Sequence, residues 1–313
     1  MGDHMIYSRT GKIDEDFYVL GHPAVPIYLM DGLQPIIFDA GFTILGEHYI
    51  SEIEKILGSR SPAYCCITHV HFDHCGSIAA LKRRYPRMLI AASEKAVEIL
   101  KRPNAVDLIR HLNASAEPLV KQLGISYTSE ARFEPFFIDH RVKEGDRLEI
   151  SSDCHVEVFE TPGHTWDCLS YRISKRNILL SSEAAGQPDK TGYVVTDCLA
   201  DFNHYLASLL RFKTLEADLL CPGHIYVYGG RDVTDYLAKA EIACFDFHKT
   251  VLQIAAEENG DFDCIKQRIK RFEYDPNPGP KQPEPAYLLN LEARIRAILN
   301  TGRNPLNGYD YQA

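Results

Sequence analysis

Between Thr68 and Ser77 the chain reads THVHFDHCGS, which sets His69, His71, Asp73 and His74 within six positions. Imidazole nitrogen and carboxylate oxygen suit borderline divalent metals. With 13 histidines in 313 residues, such a spacing arises by accident on the order of once in a thousand chains of this kind, the background against which a motif is weighed. The apolar run AYCCI ends just before Thr68 and reads as a buried strand, while Ile78 to Arg84 reads as a helix. The four side chains therefore fall in a strand-to-helix loop, where they can turn toward one point. Whatever the chain folds into must bring further ligands to that point from other strand ends.

Two segments offer them. In ETPGHTWD, His164 stands in a Thr-Pro-Gly-His turn after the strand-like VEVF, and in LLCPGHIY, His224 stands in a Pro-Gly-His turn after DLL. A lone histidine is usually a satisfied core or surface group. The repeated strand-Pro-Gly-His context, with the dense motif upstream, marks both as ligands.

The surrounding texture is α/β. FYVL, VPIYLM and PIIFDAG are short β-favouring runs broken by Gly, Pro and Asp, and ILGEHYISEIEKILGS has helical spacing and ends at glycine. Strand MLIA follows, Ser93 can cap a helix into Leu100, and residues 104 to 123 read as helical. From Phe133 the β texture returns in DRLEI, HVEVFET, CLSYRI and NILLSSE. FNHYLASLLRFKTL is an amphipathic helix and ADLLCPGH a last strand. Strands, helices, strands, helices in that order predict two sheets sandwiched between helices, with 45% hydrophobic content sufficient for a large core. Residues 5–230 are expected to form this domain. Residues 231–313, helical except for the Pro-rich YDPNPGPKQPEP, are expected to be a C-terminal helical extension rather than an independent domain.

Other function classes recede. A net charge of −9 is spread along the chain, leaving no basic stripe to follow a phosphate backbone, so nucleic acid is disfavoured as a partner. No apolar run approaches the roughly 20 residues of a membrane helix, and no targeting segment is visible, so a cytoplasmic location without membrane attachment is expected. The nine cysteines, scattered and without CxxC pairs, read as reduced thiols. The opening MGDHM reads as a polar leader, which removes His4 from the candidate site.

On these residues the chain resembles the metallo-β-lactamase superfamily from about residue 16 to 230, through its HxHxDH loop, its third-motif histidine His164 and its late Pro-Gly-His. Within it the chain is similar to thioesterases of the quinolone-signal-response type, through ITHVHFDHCG, SEKAVEILKRPNAVDLIRHLN and PEPAYLLNLEARIRAIL. The resemblance implies an αββα sandwich of two mixed sheets flanked by helices, with the C-terminal extension covering the active site. It implies two divalent ions, iron or zinc, one held by His69, His71 and His164 and the other by Asp73, His74 and His224. A bridging carboxylate is expected at the fourth loop, where the family usually has Asp and NILLSSEAAG offers Glu183. Asp189 and Asp197 fit that strand-end position less well. Asp39, in IIFDAG, is expected to brace the metal loop. Cys75 and Cys221 are read as core thiols, and His111, His140, His155, His204 and His248 as structural. His71 stands where flavodiiron relatives carry Glu, which argues against redox chemistry.

Two such ions can share and activate a water, so hydrolysis is the expected chemistry, with Asp73 orienting the nucleophile. The leading expectation is a dinuclear metal hydrolase acting on a small-molecule ester or acyl-CoA-like thioester. A phosphodiesterase of the same fold, and a regulatory protein acting through a protein partner, stay open, as does a homodimer.

Overall fold

Every residue of strand β4 (Val25–Met30) is buried, and its neighbours show how the layers are built. Val25, Ile27 and Leu29 enter one apolar core while Tyr28 and Met30 enter another, because successive side chains of a strand point to opposite faces. A strand apolar on both faces has to be covered on both. A computed structural model of the chain, describing residues 4–278 and 281–301, shows what covers it. Residues 1–3 of the leader and 302–313 of the predicted extension lie outside the described residues.

The first sheet runs in the order β2 (Gly11–Asp14), β3 (Phe17–His22), β4, β5 (Ile36–Phe38), β6 (Tyr64–Cys66), β7 (Leu89–Ala92) and β8 (His140–Arg141). Its first half is antiparallel and its second parallel. The second sheet runs β1 (Met5–Tyr7), β16 (Val227–Gly229), β15 (Leu219–Cys221), β12 (Ile178–Leu180), β11 (Leu169–Ile173), β10 (Cys154–Glu160) and β9 (Arg147–Ser151), with β12 and β15 parallel and the other pairs antiparallel. Both sheets are thus mixed. They meet through Phe38, Cys66, Val156, Val158, Tyr171 and Leu180, among others, and the rings of Phe38 and Tyr171 lie 5.5 Å apart across the interface.

Helices α1 (Gly46–Leu57), α2 (Phe72–Cys75), α3 (Ile78–Arg84), α4 (Glu94–Leu100), α5 (Pro103–Ala114) and α6 (Glu117–Leu123) accompany the first sheet. Its outer face shares a core with Tyr49, Ile53, Ile78, Leu81 and Val120 of those helices. Ser93 caps α4 by accepting from Ala96 N at 3.2 Å. The outer face of the second sheet packs on α7 (Phe202–Lys213), α8 (Arg231–Glu257), α9 (Phe262–Glu273) and α10 (Glu284–Thr301). The apolar seam of α8 falls at Val233, Tyr236, Leu237, Ala240, Cys244, Phe247, Val251 and Ile254, the three-and-four spacing of a helix with one buried face. Leu179 of β12 and Leu220 of β15 enter the same core as Leu291, Ile295 and Ile298 of α10, so the C-terminal helices share a core with the sandwich. The chain therefore has the αββα arrangement that its sequence predicts.

Met5 already belongs to a strand, paired with Gly229. His4 lies 2.8 Å from Asp232 at the start of α8, away from the other histidines. All nine cysteines are free, eight of them buried and Cys264 exposed. No described helix is long and apolar enough to cross a membrane.

Candidate metal centre

The HxHxDH loop leaves the end of β6, and His71 is the extended residue that opens the short helix α2. Two buried carboxylates hold the loop. Asp39, at φ 62° after β5, accepts from Thr68 N at 2.8 Å and from His74 Nδ1 at 2.8 Å, the bracing position expected of it. Asp167 accepts from Val70 N at 2.9 Å. Gly76 closes the loop because a Cβ there would lie 2.5 Å from Gly41 O and Thr43 N. Cys75 is fully buried beneath it, and burial pushes its thiol well up.

The second sheet supplies the opposing side chains, and each Pro-Gly-His turn needs its glycine. Gly163 has φ 129°, with space for a Cβ taken by Tyr205 N at 2.1 Å; Gly223 has φ 84° and would bring a Cβ 3.3 Å from Glu183 Oε1. Both are left-handed positions that glycine adopts without strain. His164 Nδ1 donates to Asp197 O at 2.7 Å, and His224 Nδ1 donates to Ala24 O at 2.7 Å. Each bond fixes a ring and leaves Nε2 free to face the centre. Glu183 stands in the single turn Ser182–Ala185 immediately after β12.

The structure brings all seven predicted side chains together. His164 Nε2 lies 3.2 Å from both His69 Nε2 and His71 Nδ1. Glu183 Oε1 lies 2.8 Å from His74 Nε2 and 2.7 Å from His224 Nε2, and its Oε2 lies 3.8 Å from His69 Nε2. Asp73 Oδ2 completes the second side at 3.6 Å from His224 Nε2 and 3.9 Å from His74 Nε2. Three groups result: His69, His71 and His164; Asp73, His74 and His224; and His69, His74 and Glu183 between them. This fits divalent cations. Tetrahedral ligation at about 2.0–2.1 Å sets ligand nitrogens about 3.3 Å apart, close to the observed spacing. His224 Nε2 is buried with no aligned hydrogen bond although Glu183 Oε1 is near, as when two ligand atoms aim at a third point.

The charges differ across the centre: His69 and His71 are held neutral, whereas Glu183, against the effect of burial, draws protons to His74 and His224 that a cation would have to displace. Burial, then the neighbouring imidazoles, hold His69 well below the usual histidine range, and burial with His164 brings His71 down to about 3, so both are neutral and offer lone pairs. Burial also opposes charge on His74, but Glu183 and Asp39 outweigh it and push His74 well up. Glu183 is raised by burial and lowered more by His74 and His69, ending well below the carboxylate range. The centre thus holds a buried carboxylate poised between imidazoles.

A cavity of about 580 Å³ opens beside Asp73 and His224. Its walls include Phe72, Leu119 and Tyr226, and the C-terminal helices close it with Tyr274, Ala286 and Tyr287. Lys190, which follows Glu183 closely in the chain, and Lys281, between α9 and α10, also line it. His22, which no motif marks, lies on the same wall. Cys221 faces the core between the sheets. His248 stacks on Phe202 and His204 pairs with Asp201; neither they nor His111, His140 or His155 enter the ligand groups found among the described residues. Asp167 and Asp197 were missed as supports. Asp197 holds His164 chiefly through its backbone carbonyl, which no side-chain pattern reveals, with its own Oδ2 3.4 Å from the same Nδ1, whereas a buried-looking aspartate three residues after His164 was a signal available for Asp167.

The family model described as the metallo-beta-lactamase superfamily matches residues 21–224. A probable metallo-hydrolase YqgX of Bacillus subtilis is 25% identical over 202 residues, covering 63% of this chain and 82% of that protein. The acyl-coenzyme A thioesterase MBLAC2 of Bos taurus is 24% identical over 244 residues, covering 74% and 84% respectively. Among solved structures, a beta-lactamase domain protein from Burkholderia ambifaria superposes with a TM-score of 0.65 at 17% identity, over 93% of this chain and 87% of that one.

Proposed function

The chain belongs to the metallo-β-lactamase superfamily, and from that premise we propose that it is a dinuclear metal hydrolase of esters or thioesters, with acyl-CoA-like thioesters as the favoured class. The observation that carries the reading is the convergence of His69, His71 and His164 on one side of Glu183 and Asp73, His74 and His224 on the other, at the wall of a largely apolar cavity. Divalent cations bound there would supply Lewis-acid activation of water and of the substrate oxygen.

The chain's own residues do the rest. Glu183, buried and anionic, sets negative charge between the two histidine groups and so offsets the repulsion of two cations. Asp73 reaches the cavity and orients the attacking water, accepting its hydrogen bond. Phe72, Leu119 and Tyr226 take an acyl group out of water beside it. A thiolate leaves without strong general-acid help, so its departure does not depend on His22, Lys190 or Lys281, which also line the cavity. The similarity to an acyl-coenzyme A thioesterase supports the same substrate class.

One observation favours a second reading. Lys190 and Lys281 would attract an anionic substrate, as a phosphodiesterase requires, although they would draw the phosphates of a coenzyme A thioester in the same way. Lys281 Nζ, however, already donates to Tyr274 O at 2.6 Å and lies over the Tyr274 ring. The test is to compare kcat/KM of the metal-loaded protein for a short or aromatic acyl-CoA and for a bis-aryl phosphate. Faster thioester cleavage, lost in Asp73→Asn, is expected. The reverse order would promote the phosphodiesterase, and no turnover of either would favour a regulatory role exerted through a protein partner.

A further inference from the structure

Arg294 lies in α10 among Leu291, Ile295 and Ile298, only 1% exposed. Its Nη1 and Nη2 donate to the two carboxylate oxygens of Glu273 in α9 at 2.7 and 2.8 Å. The same carboxylate accepts from Tyr287 Oη at 2.8 Å and Tyr193 Oη at 3.1 Å, and the guanidinium covers the ring of Phe247 at 4.1 Å. Those contacts satisfy the charge within the helical layer. The third nitrogen reaches out of that layer: Arg294 Nε donates to Thr196 O at 2.6 Å.

That carbonyl belongs to the peptide joining Thr196 to Asp197. The other end of the peptide is also held, since Asp197 N donates to Tyr205 Oη at 3.3 Å. The plane of that peptide is held at both ends, and the next carbonyl, Asp197 O, turns against it only through the dihedrals of Asp197; it accepts from Leu199 N at 3.2 Å and from His164 Nδ1 at 2.7 Å. A guanidinium in the extension is therefore two hydrogen bonds and one residue away from a metal-facing imidazole. We propose that Arg294 is a positioning residue for the group His69, His71 and His164, so that the C-terminal extension helps to build the metal centre that it covers. The inference rests on the metal-centre reading given above.

A plain structural staple between α9 and α10 would need only the Arg294–Glu273 pair. The two roles separate because Arg294→Lys can keep a charge opposite Glu273 but cannot also supply the fixed Nε donor, whereas Glu273→Gln weakens the staple and leaves Nε on Thr196 O. The experiment titrates metal-free full-length protein with Co(II), reading the absorption spectrum, and with Zn(II) by equilibrium dialysis, with melting temperatures in parallel. Wild type is expected to bind two equivalents. Arg294→Lys should weaken one of them 10–100-fold, the range seen when a partner that orients a metal ligand is lost. The Co(II) absorbance that disappears should match the one lost in His164→Ala rather than in His224→Ala. Glu273→Gln should lower the melting temperature while keeping both equivalents. If Arg294→Lys does not fold, Tyr205→Phe, which frees the opposite end of the peptide, should show the same selective loss. Wild-type affinity for both metals in the folded variant, or equal loss in Glu273→Gln, overturns the proposal; failure of wild type to bind either metal overturns the metal-centre reading with it.

Discussion

Glu183 is the residue at which the chain departs from its family's usual aspartate, and the structure shows how the longer arm is accommodated. Gly223 passes close enough that a methyl group there would crowd Glu183 Oε1, so the glycine of the second Pro-Gly-His turn makes room for the carboxylate. Glu183→Gln removes the charge between the two histidine groups and should weaken at least one metal, while Glu183→Asp should keep partial occupancy. Elemental analysis of the purified variants decides it; unchanged metal content and activity in the Gln form would place the bridge elsewhere. Gly223→Ala should cost about 1–3 kcal/mol from its left-handed backbone alone and should also displace Glu183, read as a lower denaturant midpoint together with lower metal content. At this scale the sequence was most informative. Histidines at ligand spacing and glycines repeated before them are chemical requirements with few substitutes. Ala24, Thr196 and Asp197 act through backbone carbonyls, and a carbonyl is the same whatever residue carries it.

Among the elements, strands such as VPIYLM were legible as short, continuously apolar runs, and helices such as FNHYLASLLRFKTL by apolar residues at helical spacing. The two-residue strands β8, β13 (Gln187–Pro188) and β14 (Val194–Val195) are too short to have a period. The C-terminal extension was legible as helix but not in its bonding: Leu291 and Ile295 are buried, Leu289 stays half exposed, and the anchor is a charged residue inside the apolar stretch. This anchor predicts a response to acid. Burial pushes the Glu273 carboxyl up, but Arg294 outweighs it and holds it below the usual range. A carboxyl depressed by folding contributes stability that is full above its unfolded pKa and disappears as pH falls through its folded one. The C-terminal helices should therefore loosen at a pH below the ordinary glutamate range, seen as a near-UV dichroism change from Tyr193 and Tyr287, and Glu273→Gln should abolish that dependence. Removing residues 284–313 should bare Tyr236, Phe247 and Val251, raise dye binding and relax selectivity between small and large acyl groups. A soluble truncation with unchanged kinetics on both would contradict the lid.

For the molecule as a whole, the centre lies where the two sheets meet: His69, His71, Asp73 and His74 extend from the first, and His164, Glu183 and His224 from the second. Cations bound there would favour the native state over the unfolded by about 4 kcal/mol at a thousandfold excess over Kd. Chelation should then lower the melting temperature by several degrees, reversed by Zn(II); an identical melting curve with and without chelator would oppose this coupling. The distribution of ligands along the chain has a consequence for biogenesis. A growing polypeptide that has exposed only the first four ligands possesses a histidine cluster without its counterpart, open to any passing metal. If cations bind as proposed, a complete set of ligands would exist only once residue 224 has emerged and the halves have docked, with Arg294 made later still. On the proposed reading, the choice of metal would therefore fall to the folded site in which the two halves meet rather than to the order in which its ligands appear.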